Sequence, residues 1–214
     1  FEVLEEAGGF CWGQARRDGY VGYVARADLG ALAPAPTHRV SAIRTYAFKE
    51  ASIKSPALGP YSLGGLIAVE ARDGRFVKVV NSGWFVEAHL SPIGVFEGDV
   101  VAVAERYLGA PYLWGGRESL GLDCSGLVQQ ALLACGRACP RDTDQQALMG
   151  RPAETLARGD LVFWRGHVAI LLDDRRILHA NAHHMAVAIE PLAEAVARIG
   201  ATGTGQPTAY RRLV

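Results

Sequence analysis

The sequence predicts an α+β chain in which small all-β segments precede a domain of helices packed on an antiparallel sheet. Two observations carry that prediction. Up to Leu90 the chain consists of short β-rich runs such as RVSAIRTYAF, GGLIAVEA and RFVKVV, broken by Gly, Pro and Ser. From Ser91 the texture changes, with two helical periods first and several continuous apolar runs after them. At 214 residues, 50% of them hydrophobic, the chain can bury the core of one large domain or of two to three small ones.

Within the β-rich part, GYVARADL (Gly22 to Leu29) and GWFVEAHL (Gly83 to Leu90) share Gly, an aromatic, Ala and Leu at the same offsets. A pair of similar segments so spaced suits a repeated small domain. The pattern resembles the end of bacterial SH3-like domains, whose last strands often read Gly-aromatic-x-x followed by Leu. The second copy then spans residues 37–90. The first, residues 1–30, has about half the length such a barrel needs, so either its first strands are lost or the copy is degenerate. GALAPAPT, Gly30 to Thr37, is a Pro- and Ala-rich linker between them.

The third unit runs over residues 99–214. GDVVAVAERYLG carries a helical apolar face at Val100, Val101, Val103, Ala104 and Leu108, closed by Gly109. After the loop APYLWGG, a second helix from Asp123 presents Leu127, Val128, Ala131, Leu132 and Cys135 on one stripe and ends at Gly136. DLVFW and HVAILL read as strands covered on both faces, with DDRR turning into ILHAN. PLAEAVARI is a helix with Pro191 at its start, and AYRRLV is a candidate to close the sheet.

Lys plus Arg and Asp plus Glu number 22 each, so no net field points to nucleic acid or an anionic membrane as partner. No apolar run reaches the roughly 18 residues of a membrane span, and the N-terminus lacks the order of a secretory signal. Four irregularly spaced cysteines do not make a disulfide framework. The cysteine usage favours a reducing, cytoplasmic compartment; a monomer without a cofactor is expected. A start at Phe1 rather than Met keeps a periplasmic or secreted product as the alternative.

The chemistry gathers at GLDCSGLVQQALLACG. Cys124 precedes the apolar face of its helix, where the positive end of the dipole lowers a thiol's pKa. Position alone leaves a nucleophile and a structural helix-start cysteine equally open. His167, between Gly166 and an apolar strand, reads as a base or as a strand-end residue. His179 lies across the DDRR turn, so that on a hairpin the two rings stand on neighbouring strands.

PYLWGG, DCSGLV, RGDLVFWRGHVAI and ILHA, in that order, resemble the NlpC family of papain-like cell-wall cysteine peptidases over Asp99 to Val214. SH3-like domains commonly precede that catalytic domain. The resemblance implies Cys124 as nucleophile, His167 as general base and then acid, and His179 as the residue that orients His167. It implies that Tyr112 donates its hydroxyl to the oxyanion together with the Cys124 amide, and that Gly115 and Gly116 let backbone pass close to substrate. Trp114 reads as packing. Asp123 and Ser125 are helix caps by residue type; the resemblance adds binding of the substrate's amine or backbone. In relatives, an SH3-like domain closes the groove with an acid and an aromatic, for which Glu5 or Glu6 and Tyr20 or Tyr23 are the candidates here.

His183 and His184 read as strand neighbours on opposite faces, with His184 a candidate for the substrate groove. Cys124, His167, His179 and His184 lack metal-ligand spacing, so no metal is expected. Arg141 either meets a substrate carboxylate or pairs with Asp142 or Asp144. Cys135 and Cys139 read as structural. The implied reaction is hydrolysis of the γ-D-glutamyl-L-diamino acid bond in peptidoglycan-derived peptides with a free N-terminal L-Ala. An N-acetylmuramoyl-L-alanine amidase and an inactive cell-wall binding module are the alternatives.

Overall fold

The computed structural model describes residues 1–30 and 34–213. Residues 31–33 of the expected linker and Val214 of the last expected strand lie outside them. Strands β1 (Glu2–Ala7), β2 (Phe10–Gln14) and β3 (Val21–Ala25) form an antiparallel sheet in that order. Strands β4 (His38–Val40), β5 (Arg44–Phe48), β6 (Ala57–Ser62), β7 (Leu66–Ile67), β8 (Val69–Asp73), β9 (Phe76–Val79), β10 (Gly83–Val86) and β11 (Leu90–Pro92) follow. They pair as a five-stranded sheet, β6-β5-β10-β9-β8, and a three-stranded one, β11-β4-β7, around a core of Val40, Ala47, Ile67, Val77, Val79 and Phe85.

The sequence repeat has a structural counterpart. β3 and β10 each run into a 3-10 turn, Arg26–Asp28 and Glu87–His89, and the leucine after it, Leu29 or Leu90, returns its N–H to the first carbonyl of the turn.

The remaining chain forms helix α1 (Val100–Glu105), the ribbon β12 (Arg117–Glu118) and β13 (Gly121–Leu122), and helices α2 (Cys124–Ala134) and α3 (Thr143–Gln146). Then come β14 (Arg151–Pro152), β15 (Leu161–Trp164), β16 (His167–Leu171), β17 (Arg176–Asn181), β18 (Ala186–Pro191), α4 (Leu192–Gly200) and β19 (Ala209–Arg212). The six strands make one antiparallel sheet in the order β14-β19-β15-β16-β17-β18. β19 is thus inserted beside β15 rather than at the sheet's edge.

Helix α1 is shorter than its apolar period. Asp99 caps it by accepting from the Val101 and Ala102 amides, but Arg106, Tyr107 and Leu108 already bond back three residues, and Gly109 leaves in the left-handed region. Alternation along the strands covers the sheet on both faces. Leu161, Phe163, Val168, Ile170 and Leu178 pack with α1 and α2, while Val162, Trp164, Ala169, Leu171 and Ile177 pack with Ala195 and Ile199 of α4. Among the described residues, no helix is long and apolar enough to cross a membrane.

The β4–β11 unit is fastened to this domain by buried Arg39, which donates to the Val95 and Ala134 carbonyls, and by Arg44, which donates to Ser119. The Arg39 guanidinium also lies over the Phe96 ring, 4.8 Å from its centroid.

Candidate active site

Helix α2 starts at Cys124 because Asp123 is extended and its Oδ1 accepts from the Gly126 amide at 2.7 Å. The Cys124 sulfur faces Thr143 Oγ1 at 3.9 Å and the amides of Val168 and Ser125. The residue is only 7% exposed. The helix start therefore does not leave a lowered pKa, as the sequence suggests it should. Burial pushes the Cys124 thiol up, aided by the Asp123 charge, and outweighs the amides and the Thr143 hydroxyl that favour the thiolate. The resting sulfur is a neutral thiol.

A tight turn through Gly166, at φ 75°, pairs Trp164 with His167 and sets the imidazole at the start of β16. His167 Nε2 lies 2.8 Å from His179 Nδ1. His179 is fully buried, and its Nε2 lies 2.6 Å from Glu190 Oε1, which also accepts from Arg198. Because His167 and His179 alternate with Val168, Leu178 and Ala180, their rings lie on the α4 side of the sheet, whereas α2 packs on the other. The two sides meet at the start of β16. Among the described residues, the hydrogen bonds of the Cys124 sulfur do not include His167, which immediately precedes the Val168 amide that reaches it. Such bonds are often long in unliganded sites and tighten around substrate.

Burial lowers the His167 pKa to about 3, with His179 and Arg198 acting in the same direction and Glu190 against them. Burial likewise lowers His179, against the pull of Glu190. Both rings regain ordinary values near 6.5 on unfolding, so below that pH the unfolded chain binds more protons. Stability is therefore fully present above pH 6.5 and is expected to fall as pH drops toward 3. Thermal melts between pH 8 and 4 test this; a melting temperature that stays level or rises on acidification would contradict it.

A cleft of about 420 Å³ opens over Cys124. Tyr112 and Trp114 reach it from the loop before β12, Asp142 and Asp144 from the segment before and within α3, and Tyr20 from the turn between β2 and β3. Burial, aided by the Asp123 charge, raises the Tyr112 phenol, keeping it a hydrogen-bond donor at neutral pH. Trp114 does not pack as expected but stands 87% exposed on the rim.

Arg141 is buried and pairs with neither Asp142 nor Asp144. It forms a two-pronged bond to Asp123, at 3.0 and 2.7 Å, and donates to Ser125 Oγ at 2.8 Å. Asp123 also accepts from the Gly115 amide at 3.0 Å. One carboxylate thus ties the glycine loop, the helix start and the α3 segment together.

Residues 109–201 match the NlpC/P60 family, and residues 1–29 match the bacterial dipeptidyl-peptidase Sh3 domain. Residues 109–201 thus resemble an NlpC/P60 domain. Among curated relatives, the chain is 26% identical over 200 residues to the γ-D-glutamyl-L-lysine dipeptidyl-peptidase of Bacillus subtilis (strain 168), covering 85% of this chain and 68% of that one. It is 34% identical over 122 residues to dipeptidyl-peptidase 6 of Lysinibacillus sphaericus, covering 53% and 44%. The crystal structure of an NlpC/P60 family protein from Bacillus cereus ATCC 10987 superposes with a TM-score of 0.79 at 22% identity, covering 99% of this chain and 78% of that one. That likeness is one of fold, the papain-like α+β fold with SH3-like strands at its N-terminal side.

The domain built on α2 and the six-stranded sheet receives Tyr20 through a buried latch. Asp18, its side chain fully buried, accepts from Arg117 at 2.6 Å and from Gln129 of α2 at 3.1 Å, while its other oxygen accepts from the Tyr20 amide at 3.1 Å. The other candidates from the N-terminal sheet stay outside the cleft: Glu5 is exposed, Glu6 pairs with Arg26, and Tyr23 stacks on Trp12. His183 and His184 are in the turn before β18, not in a strand, and His184 bonds to Asn181 rather than lining the cleft.

Ligand atoms of His179, His184 and Glu190 lie within 4.8 Å of one another. Both His179 nitrogens are committed to His167 and Glu190, so a cation entering there would have to break one of those bonds. The group fits a hydrogen-bond chain rather than a ligand set. All four cysteines are free, and Cys139 is held among Pro140 and Gln146, with burial pushing its thiol up to about 12.

Sequence reasoning misses Thr143, Trp114, Asp18, Glu190 and Arg198. The Asp123–Cys124–Ser125 triplet announces its own site, but a carboxylate buried by a neighbouring strand or domain leaves no local pattern.

Proposed function

We propose that the protein is a cysteine peptidase that cuts the γ-D-glutamyl-L-diamino acid bond of peptidoglycan-derived peptides carrying a free N-terminal L-Ala. The observation that carries this reading is the cleft over Cys124, walled by Tyr20 and lined by Asp123, Asp142 and Asp144. Its buried cation, Arg141, is already matched by Asp123, so the remaining carboxylates favour an ammonium. Relatives named γ-D-glutamyl-L-lysine dipeptidyl-peptidase support the bond type.

In this reading the Cys124 thiol passes its proton to His167 as the sulfur attacks the γ-glutamyl carbonyl carbon. The developing oxyanion receives hydrogen bonds from the Tyr112 hydroxyl and the Cys124 amide. The carbon–nitrogen bond breaks, the diamino acid leaves with the proton returned by His167, and water hydrolyses the thioester. His179 holds His167 by one nitrogen and leaves the other for the thiol.

The test is mass spectrometry of L-Ala-γ-D-Glu-diaminopimelate-D-Ala after incubation with the protein. Release of L-Ala-D-Glu is expected. An untouched peptide, or a cut at any other bond, would overturn the assignment.

A further inference from the structure

The chain of hydrogen bonds behind His167 does not end at His179. Glu190, at the end of β18, is 8% exposed and is gripped by Arg198 from α4. Its bonds to His179 and Arg198 hold its carboxyl below the ordinary range, against burial, which acts to raise it. An ionised carboxylate can only accept. His179 must therefore carry its proton on Nε2, the nitrogen 2.6 Å from Glu190 Oε1. A neutral His179 so protonated presents only a lone pair at Nδ1. His167 must then place its own proton on Nε2, which faces that lone pair at 2.8 Å. What remains unprotonated is His167 Nδ1.

We propose that Glu190, anchored by Arg198, is a positioning residue that fixes the protons of both histidines and so makes His167 Nδ1 the atom that takes the thiol proton. The proposal rests on the reading of Cys124 and His167 as the reacting pair. Once His167 is protonated, the same carboxylate faces its new charge through His179, and no proton has to leave His179. The charged or titratable groups around this chain are Arg198 on α4, His184 in the turn before β18, and Tyr112, Arg165 and His183, which line the same cavity as His167 and His179, with the Trp164 ring 5.7 Å from His167.

The first test needs no variant. In the full chain labelled with nitrogen-15 histidine, ring spectra at neutral pH are expected to show Nε2–H for both His167 and His179. An Nδ1–H form of either ring would overturn the proposal. The second uses Glu190→Gln, whose amide can accept from His179 or donate to it. Mixed tautomers are expected, with kcat lowered about 100-fold, as when the outer partner of a functional histidine is lost, and KM within about threefold. Unchanged tautomers or unchanged kcat in a folded Glu190→Gln protein would overturn the assignment. The wild-type spectra do not depend on turnover, so failure of the peptidase reading and failure of this one are separately visible.

Discussion

Cys124→Ala is expected to lower turnover by on the order of 10⁴-fold or more while leaving substrate binding in place, because removing a nucleophile removes the covalent pathway and not the cleft. The sulfur is nearly buried, and its neighbours are the Thr143 hydroxyl and two amides that belong to secondary structure. Its loss costs a small core group, on the order of 1 kcal/mol. Helix α2 keeps its Asp123 cap and its glycine exit at Gly136. Peptide affinity measured by calorimetry should therefore stay within about threefold of wild type, since little binding energy resides in the sulfur. Retained turnover would displace the nucleophile assignment altogether. Cys139 offers no substitute, being buried and bonded with its thiol pushed up to about 12.

The second large effect concerns the substrate's amine. N-acetylation of the L-Ala in L-Ala-γ-D-Glu-diaminopimelate should lower kcat/KM about 10- to 100-fold, the worth of one charge-assisted hydrogen bond in a partly buried site. Asp123, Asp142 and Asp144 line the cleft that would receive the ammonium, and Tyr20 stands across its end. The Asp18 latch determines whether Tyr20 is there at all. Asp18→Ala leaves Arg117 and Gln129 without their common acceptor, so the preference for the free over the acetylated peptide should shrink toward one. Equal rates on both peptides with the wild-type chain would remove this gate from the proposed function.

Much of this was legible in the sequence, and the exceptions have physical causes. The DCSG start of α2 is readable because capping and an apolar stripe are local. The strands β15, β16 and β17 are readable because burial on both faces leaves continuous apolar runs. The Gly-aromatic-x-x repeat is readable because its strand and 3-10 turn are built within one short segment. By contrast, Glu190 meets His179 only because the β17–β18 pairing sets Glu190 beside Ile177 and α4 then brings Arg198 over it. The turn at His183 and His184 depends on Met185 adopting φ 51°, which residue type does not announce. The direction of the thiol's shift is not legible locally, because a helix dipole is local whereas burial is set by the whole fold.

The placement of the sheet between α2 and α4 divides two kinds of adjustment. In the proposed function, what the cleft admits is set on the α2 side, where Tyr20, Trp114 and the carboxylates stand over Cys124. In the proposed mechanism, how strongly His167 holds a proton is set behind the sheet, where Glu190 and Arg198 face His179. The two sets share no residue, and Tyr112 and Gly166 line the cavities on both sides. Changes of diet and changes of pH optimum can therefore accumulate independently in such a protein, each without disturbing the other.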